Sequence, residues 1–287
     1  MKTLTPEKLV KRLEGLAPHP RVVAAGNFAT PHRLLELVDG NVETFTLHML
    51  NAQGEIPDRP GVTHETTFVG PAMRKSPALM YYPCRLSLTP VILRYQLPVD
   101  VLLLHTSTPR DGLVSMGVEV NILPAVLEAV RDRGGVVIAQ VNKQMPHTFG
   151  DGVVHVDDID YAIEVDEPLM THEPGEPDDI SKAIADHILR KIPDGATLQL
   201  GIGAVPDAVL GSLTSRRGLR IWSEMFSDGV LPLHELGAFD SEVSLTASFA
   251  FGSQRLYDWL DGNRRVRMRR TETTNAPARI SRTPAMI

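Results

Sequence analysis

The chain has a single cysteine, Cys84, in 287 residues, which rules out an intramolecular disulfide and a thiolate metal cluster built within one chain. Basic charge is not in excess: 29 Lys and Arg face 35 Asp and Glu, for a formal charge of −6. That balance argues against nucleic acid or an anionic membrane surface as the main partner and favours a small molecule. No apolar run approaches the ~18 residues a bilayer span needs. The opening MKTLTPEKLVKRLEGL reads as an amphipathic helix without the apolar core of a signal peptide, so the expected location is cytoplasmic. What remains is ordinary globular usage, 43% hydrophobic and 22% charged, at a length that favours two domains over one.

Thr5 before Pro6 has the form of an N-cap followed by proline at the first helical position, and Leu9, Val10, Leu13 and Leu16 share one face of the helix that follows. Pro18 and Pro20 end it. Arg21 to Ala25 then reads as a buried strand that turns at Gly26 into a helix starting near Pro31. Further strands are expected at Glu43 to Met49, Thr66 to Val69, Val101 to Thr106, Val136 to Val141 and Tyr161 to Val165, with a helix over Ile122 to Arg133. Strands alternating with helices imply an α/β fold with a parallel sheet. The acidic, proline-rich stretch DEPLMTHEPGEPDD marks the domain boundary: residues 1–168 form one domain, 169–178 a linker and 179–287 a second domain.

The pattern then starts again at a constant offset of 175 residues, which carries Leu9 onto Ile184, Pro18 onto Pro193, Gly26 onto Gly201, Pro31 onto Pro206 and Leu34 onto Val209. With one residue of slippage FTLHM matches IWSEM, and TTFVG roughly matches SFAFG. A duplication is the expected origin. The second copy stops at Ile287, opposite the start of the first copy's Val101 to Thr106 strand. A parallel sheet shortened in this way leaves an apolar edge that pairs with another chain or aggregates.

Several groups carry candidate chemistry. Gly201, Ile202, Gly203, Ala204 and Val205 follow the strand Thr197 to Leu200 and open a helix, an arrangement of backbone N–H groups that suits a phosphate or a developing oxyanion. The run is close to the dinucleotide fingerprint G-x-G-x-x-G, and Glu224 lies twenty-three positions after Gly201, so a nicotinamide oxidoreductase competes. Pro206, however, occupies the third glycine's place. Glu224 follows the apolar run Leu219 to Trp222 and is delivered to the carboxyl edge of the sheet, where parallel sheets bind ligands. With a reference pKa of about 4.3 it is ionised at neutral pH and able to attack an acyl carbon without a base beside it. A solvated or salt-bridged residue is the bland alternative.

Other groups point to structure. Gly112-Leu-Val-Ser115-Met-Gly117 is one residue too long for a serine-hydrolase elbow. His147, Asp151, His155, Asp157, Asp158 and Asp160 fit no common zinc spacing, and no metal is expected. Arg264, Arg265, Arg267, Arg269 and Arg270 bracket Val266 and Met268, which indicates a strand with a basic outer face, solvated or facing an acidic ligand's phosphates. Cys84 reads as a packed small hydrophobe.

On the stretches FVGPAMRK (68–75), SMG (115–117), VNKQMP (141–146) with Gly150, Asp151 and His155, LGIGAVP (200–206), SEMFSDG (223–229) and LYDWL (256–260), the chain resembles the acetyl-CoA hydrolase/transferase family, which includes 4-hydroxybutyrate and butyrate:acetate CoA-transferases. The resemblance runs from about Arg21 to the end. It implies two tandem CoA-transferase-type parallel-sheet domains, the second incomplete. It implies coenzyme A as substrate, Glu224 as nucleophile and Gly201 to Val205 as part of the CoA site. The implied reaction passes through a glutamyl-CoA thioester, ending in transfer to a small carboxylate or in hydrolysis. Family members carry a later glycine-rich segment that helps hold CoA and that is absent here, which implies a homo-oligomer or a complementing chain. A catalytically inactive, partner-binding remnant is the reading from a different class.

Overall fold

The computed structural model describes residues 1–287. In the first half the elements run β1 (Lys2–Thr3), α1 (Pro6–Leu13), β2 (Arg21–Ala24), α2 (His32–Asn41), β3 (Phe45–His48), β4 (Val62–Thr66), β5 (Leu79–Tyr81), α3 (Thr89–Tyr95), β6 (Val101–Thr106), β7 (Leu113–Ser115), α4 (Leu123–Arg133), β8 (Val136–Asn142), β9 (Val153–His155) and β10 (Tyr161–Val165). Eight of these strands form one parallel sheet in the order β1-β10-β8-β6-β2-β3-β4-β5, while β7 and β9 pair antiparallel beside it. Side chains alternate across the sheet as the strand period requires. Val22, Val101 and Leu103 face a core closed by Leu9 and Leu13 of α1 and by Leu34 and Leu35 of α2. Val23, Leu102 and Leu104 face the opposite way.

The second half continues with α5 (Asp179–Leu189), β11 (Thr197–Leu198), α6 (Ala204–Ser212), β12 (Arg220–Ile221), β13 (Met225–Phe226), α7 (Val230–Glu235), β14 (Leu245–Ala247), β15 (Phe249–Ala250), α8 (Gln254–Leu260), β16 (Val266–Met268), α9 (Thr271–Thr274) and α10 (Pro277–Ile280). Its strands are short, yet parallel bridges link Met286 to Thr197, β11 to β12, Trp222 to Thr246 and β14 to β16. The neighbour order of residue 286, β11, β12, β14 and β16 thus matches β6, β2, β3, β4 and β5, so the duplication legible in the sequence is repeated in the strand pairing. The α/β fold class is as expected.

The first half owns the core closed by α1 and α2, but on the other face of its sheet it shares a core with the second half. One cluster of 46 buried residues includes Val23, Leu104 and Val141 from the large sheet together with Leu198, Ile221, Leu245 and Met268 from the second half. The main chain also crosses: Phe149 O accepts from Met268 N at 2.7 Å, and Asp151 N donates to Met268 O at 2.8 Å. The stretch expected to link the halves lies against the second one, with Leu169 buried, His172 N donating to Gly252 O and Tyr257 Oη donating to Met170 O.

One strand lies elsewhere than the sequence suggested. β4 ends at Thr66, where a strand over Thr66 to Val69 was expected, because the Thr66 hydroxyl turns the chain by donating to Met49 O at 2.6 Å and accepting from Phe68 N at 3.0 Å. The segment VTHET is too polar to read as a buried strand. Glu65 is nonetheless accommodated, since Oε1 meets His48 Nδ1 at 3.0 Å and Arg21 Nε at 3.3 Å. Thr5 precedes α1 in extended conformation with Pro6 inside the first turn, but its side chain makes no capping bond.

Candidate active site

The glycine turn and Glu224 are brought together by one serine. β11 and β12 run side by side, and beyond them Ser223 Oγ accepts from Leu200 N at 2.9 Å and donates to Leu200 O at 3.1 Å. Ser223 is buried, so this pair clamps the residue just before Gly201 to the residue just before Glu224. The turn is open to solvent over Gly201 to Ala204. Gly203 adopts φ 126° and ψ 177°, a region essentially confined to glycine, and α6 begins directly after it. Leu200, Gly201, Val205 and Pro206 line one side of an apolar groove of about 230 Å³, with Ile188 of α5 opposite.

Glu224 is half-buried. Its carbonyl accepts from Ser248 N at 2.8 Å and Phe249 N at 3.0 Å, which fixes the backbone at the strand end. Its carboxylate accepts from Asn275 Nδ2 at 2.6 Å. Burial raises the carboxyl's pKa, and the Asn275 amide, by stabilising the anion, opposes that rise without cancelling it. Asn275 is itself held: Thr274 Oγ1 donates to Asn275 Oδ1 at 2.7 Å, and Trp222 Nε1 donates to Thr274 O at 3.1 Å. Nothing in the sequence pattern singled out Asn275, which lies fifty-one positions downstream of its partner at the end of α9.

A second carboxyl faces the same region from the first half. Glu119 is 1% exposed, Oε1 accepts from Gly26 N at 3.1 Å, and Oε2 accepts from Asn27 Nδ2. Burial pushes its pKa up to about 7, and the charge of Glu224 adds to the rise. Its backbone bridges antiparallel to Phe249, the residue that bonds the Glu224 carbonyl. The sequence reading passed over it within the run SMGVEVN.

The remaining candidates are placed as follows. Ser115 is fully buried, and its hydroxyl is engaged by Thr148 Oγ1 at 3.0 Å and by the N–H groups of Thr148 and Gly117. The histidines and aspartates between 147 and 160 do not converge on one point: Asp151 binds Arg269, Asp160 binds Arg131, His147 Nδ1 meets Ser107 Oγ at 3.2 Å, and His155 pairs only with Asp157. Val266 and Met268 are buried in β16 with Arg267 between them, which is the alternation the arginine run suggested. The basic face borders a cavity of about 650 Å³ that Trp222, Thr246 and Arg279 also line. Cys84 is free and partly buried, its Sγ 3.9 Å from Thr89 Oγ1.

A doubled parallel α/β frame of this kind is that of the CoA-transferases. The structure aligns over 99% of its length with a 4-hydroxybutyrate CoA-transferase from Porphyromonas gingivalis, at TM-score 0.85 and 30% identity, covering 71% of that chain. The acetyl-CoA hydrolase/transferase N-terminal domain matches residues 45–172. Over its whole length the chain is 35% identical to a 4-hydroxybutyrate coenzyme A transferase of Clostridium kluyveri and covers 70% of it. It is 31% identical to a succinyl-CoA:acetate/propanoyl-CoA:succinate CoA transferase of Fasciola hepatica, covering 58% of that protein. The chain belongs to the acetyl-CoA hydrolase/transferase family. Its relatives are enzymes of CoA transfer and thioester hydrolysis, and coenzyme A is the substrate that the family shares. No helix is long and apolar enough to cross a membrane.

Proposed function

We propose that the chain catalyses CoA transfer from an acyl-CoA to a small carboxylate, or hydrolysis of the thioester, with Glu224 as nucleophile and Gly201 to Val205 holding CoA. The observation that supports this reading is the Ser223 clamp, which ties the residue before the exposed glycine turn to the residue before the partly desolvated Glu224. A Glu224 carboxylate oxygen attacks the thioester carbonyl, the C–S bond breaks, and a mixed anhydride and CoA thiolate result. The thiolate then attacks the glutamyl carbonyl, releasing the acyl group as its carboxylate and leaving glutamyl-CoA. An incoming carboxylate reverses the two steps and leaves as the new thioester, whereas water attacking the same carbonyl yields net hydrolysis.

Each tetrahedral intermediate carries an oxyanion. One preorganised donor in the Gly201 to Gly203 turn is worth about 3 kcal/mol when aligned with that oxygen. CoA's pantetheine arm supplies remote binding energy for alignment. The carboxylate must be ionised to react, so burial of Glu224 places the acid limb of the reaction above the ordinary glutamate range, and Asn275 restrains it.

The same proposal treats residues 1–168 and 179–287 as two CoA-transferase-type domains joined by 169–178, working in the cytoplasm as a homo-oligomer or with a complementing chain. Intact-mass measurement after incubation with acyl-CoA tests the chemistry. A CoA adduct on the Glu224 peptide, absent in Glu224→Gln, is the expected result. An adduct that persists in Glu224→Gln rules out this nucleophile, and wild-type protein that stays unmodified while binding a nicotinamide cofactor returns the glycine turn to the dinucleotide reading.

A further inference from the structure

We infer that Glu119 is a positioning residue of the same centre: a second buried carboxyl, joined to the Glu224 main chain through one backbone bridge across the seam between the halves, that governs how readily an anionic co-substrate is accepted. The inference rests on the proposed role of Glu224.

Four features of the structure lead there. Glu119 is among the most enclosed acidic side chains in the chain, and yet no basic group lies against it. Structural carboxylates here are built differently: Glu65 has His48 and Arg21, and Asp151 has Arg269. A buried carboxyl without a cation is costly to ionise, so such a residue persists where its charge state has a use. Second, the groups facing it form a neutral cradle. Gly26 N and the Asn27 amide come from the turn after β2 and Asn121 from its own segment, and the charge of Glu224 in the second half is the one charged influence that raises its pKa beyond burial.

Third, the cradle is held in unusual backbone geometry. Asn27 and Asn51 both have φ 44°, a left-handed conformation uncommon outside glycine. They are tied in series: Gln53 Nε2 donates to Asn51 Oδ1 at 3.1 Å, and Asn51 Nδ2 donates to Asn27 Oδ1 at 2.6 Å. That chain orients the Asn27 amide with its N–H groups toward Glu119. Fourth, the backbone path from one carboxyl to the other is short, since Glu119 bridges to Phe249 and Phe249 N binds Glu224 O.

The consequence follows from charge. With a pKa of about 7, Glu119 is neutral in mildly acidic solution, and Glu224 is then the single negative charge of the centre. A carboxylate co-substrate approaches one anion. As pH rises through 7, Glu119 ionises, and the incoming carboxylate and every negatively charged intermediate meet two. The thioester end of acyl-CoA is uncharged and is spared this repulsion. Glu119 therefore makes entry of the anionic co-substrate, and not of the acyl-CoA, depend on pH.

The test uses the full chain as wild type, Glu119→Gln and Glu224→Gln. With butyryl-CoA as donor and acetate as acceptor, KM for acetate is expected to rise about tenfold between pH 6 and 8.5, the change that one pKa unit of interaction represents. KM for butyryl-CoA stays level, and Glu119→Gln loses the rise. A Glu119→Gln enzyme that keeps the wild-type rise overturns the inference. A readout independent of turnover is the ¹³C NMR titration of glutamate carboxyls. By reciprocity, removing the charge of Glu224 must lower the midpoint of Glu119, so an unmoved midpoint in Glu224→Gln also overturns it, even where Glu119→Gln does not fold. Failure to form the CoA adduct refutes the nucleophile while leaving the titration to decide the coupling.

Discussion

Replacing Asn275 by alanine is the most direct probe of how the fold prepares Glu224. The substitution removes the one amide that contacts the carboxylate, a 2.6 Å bond to Glu224 Oε2, and leaves the Ser223 clamp and the Glu224 carbonyl bonds in place. A hydrogen bond to a charged group contributes about 1.5–3 kcal/mol, and because Glu224 is only half-buried, water replaces part of it, so the low end applies. That corresponds to roughly a tenfold loss in kcat/KM for acyl-CoA at neutral pH. The loss is not uniform with pH. Asn275 is the contact that lowers the Glu224 pKa against burial, so its removal lets the pKa climb and moves the acid limb of kcat/KM to higher pH. The assay is acyl-CoA consumption followed chromatographically from pH 5 to 8.5, with thermal unfolding as a control for folding. A tenfold loss that is flat in pH, with the acid limb where it stands in the wild type, would refute the reasoning and make Asn275 a packing residue.

Two further outcomes concern stability. Gly26→Ala is expected to cost about 1–3 kcal/mol, read as a lower Tm, because a Cβ there would meet Leu50 O at 1.9 Å with Glu119 Oε1 also close; an unchanged Tm would contradict the close approach. His105 is buried, with its pKa pushed down to about 4 by desolvation. It is neutral in the fold, so stability is unaffected above about pH 6.5 and falls as pH drops from there toward 4, by roughly 3 kcal/mol in full. Urea denaturation at pH 5 and 7.5 shows this slope in the wild type and a smaller one in His105→Gln; equal slopes would exclude His105 as its source.

The frame was legible wherever local sequence decides structure. Val101–Thr106 is a run buried on both faces of a parallel sheet, and the apolar continuity of its first four residues marks it. The repeat was legible because helix, proline stop and glycine turn recur at one spacing. β4 was misplaced because His64 and Glu65 are polar, His64 being satisfied by Pro57 O seven residues before it and Glu65 by Arg21 and His48 farther along the chain. Lys2–Thr3 gave no strand signal at all, since only pairing with β10 makes it one. The site divides in the same way. Gly201 to Val205 and Glu224 sit at neighbouring strand ends, and local spacing makes them candidates. Asn275 and Glu119 reach the same place only through tertiary folding, over fifty-one and more than one hundred residues, and no periodicity carries that information.

The shared core has a consequence for how the molecule comes apart. Leu104 and Leu245 belong to one continuous apolar mass, so neither half can shed its partner without wetting its own interior. A protease cut in the exposed stretch around Gly175 should therefore yield two fragments that migrate together and melt as a single unit. Expressed apart, each piece would carry an open wound of leucine and valine, and solubility would return only on mixing.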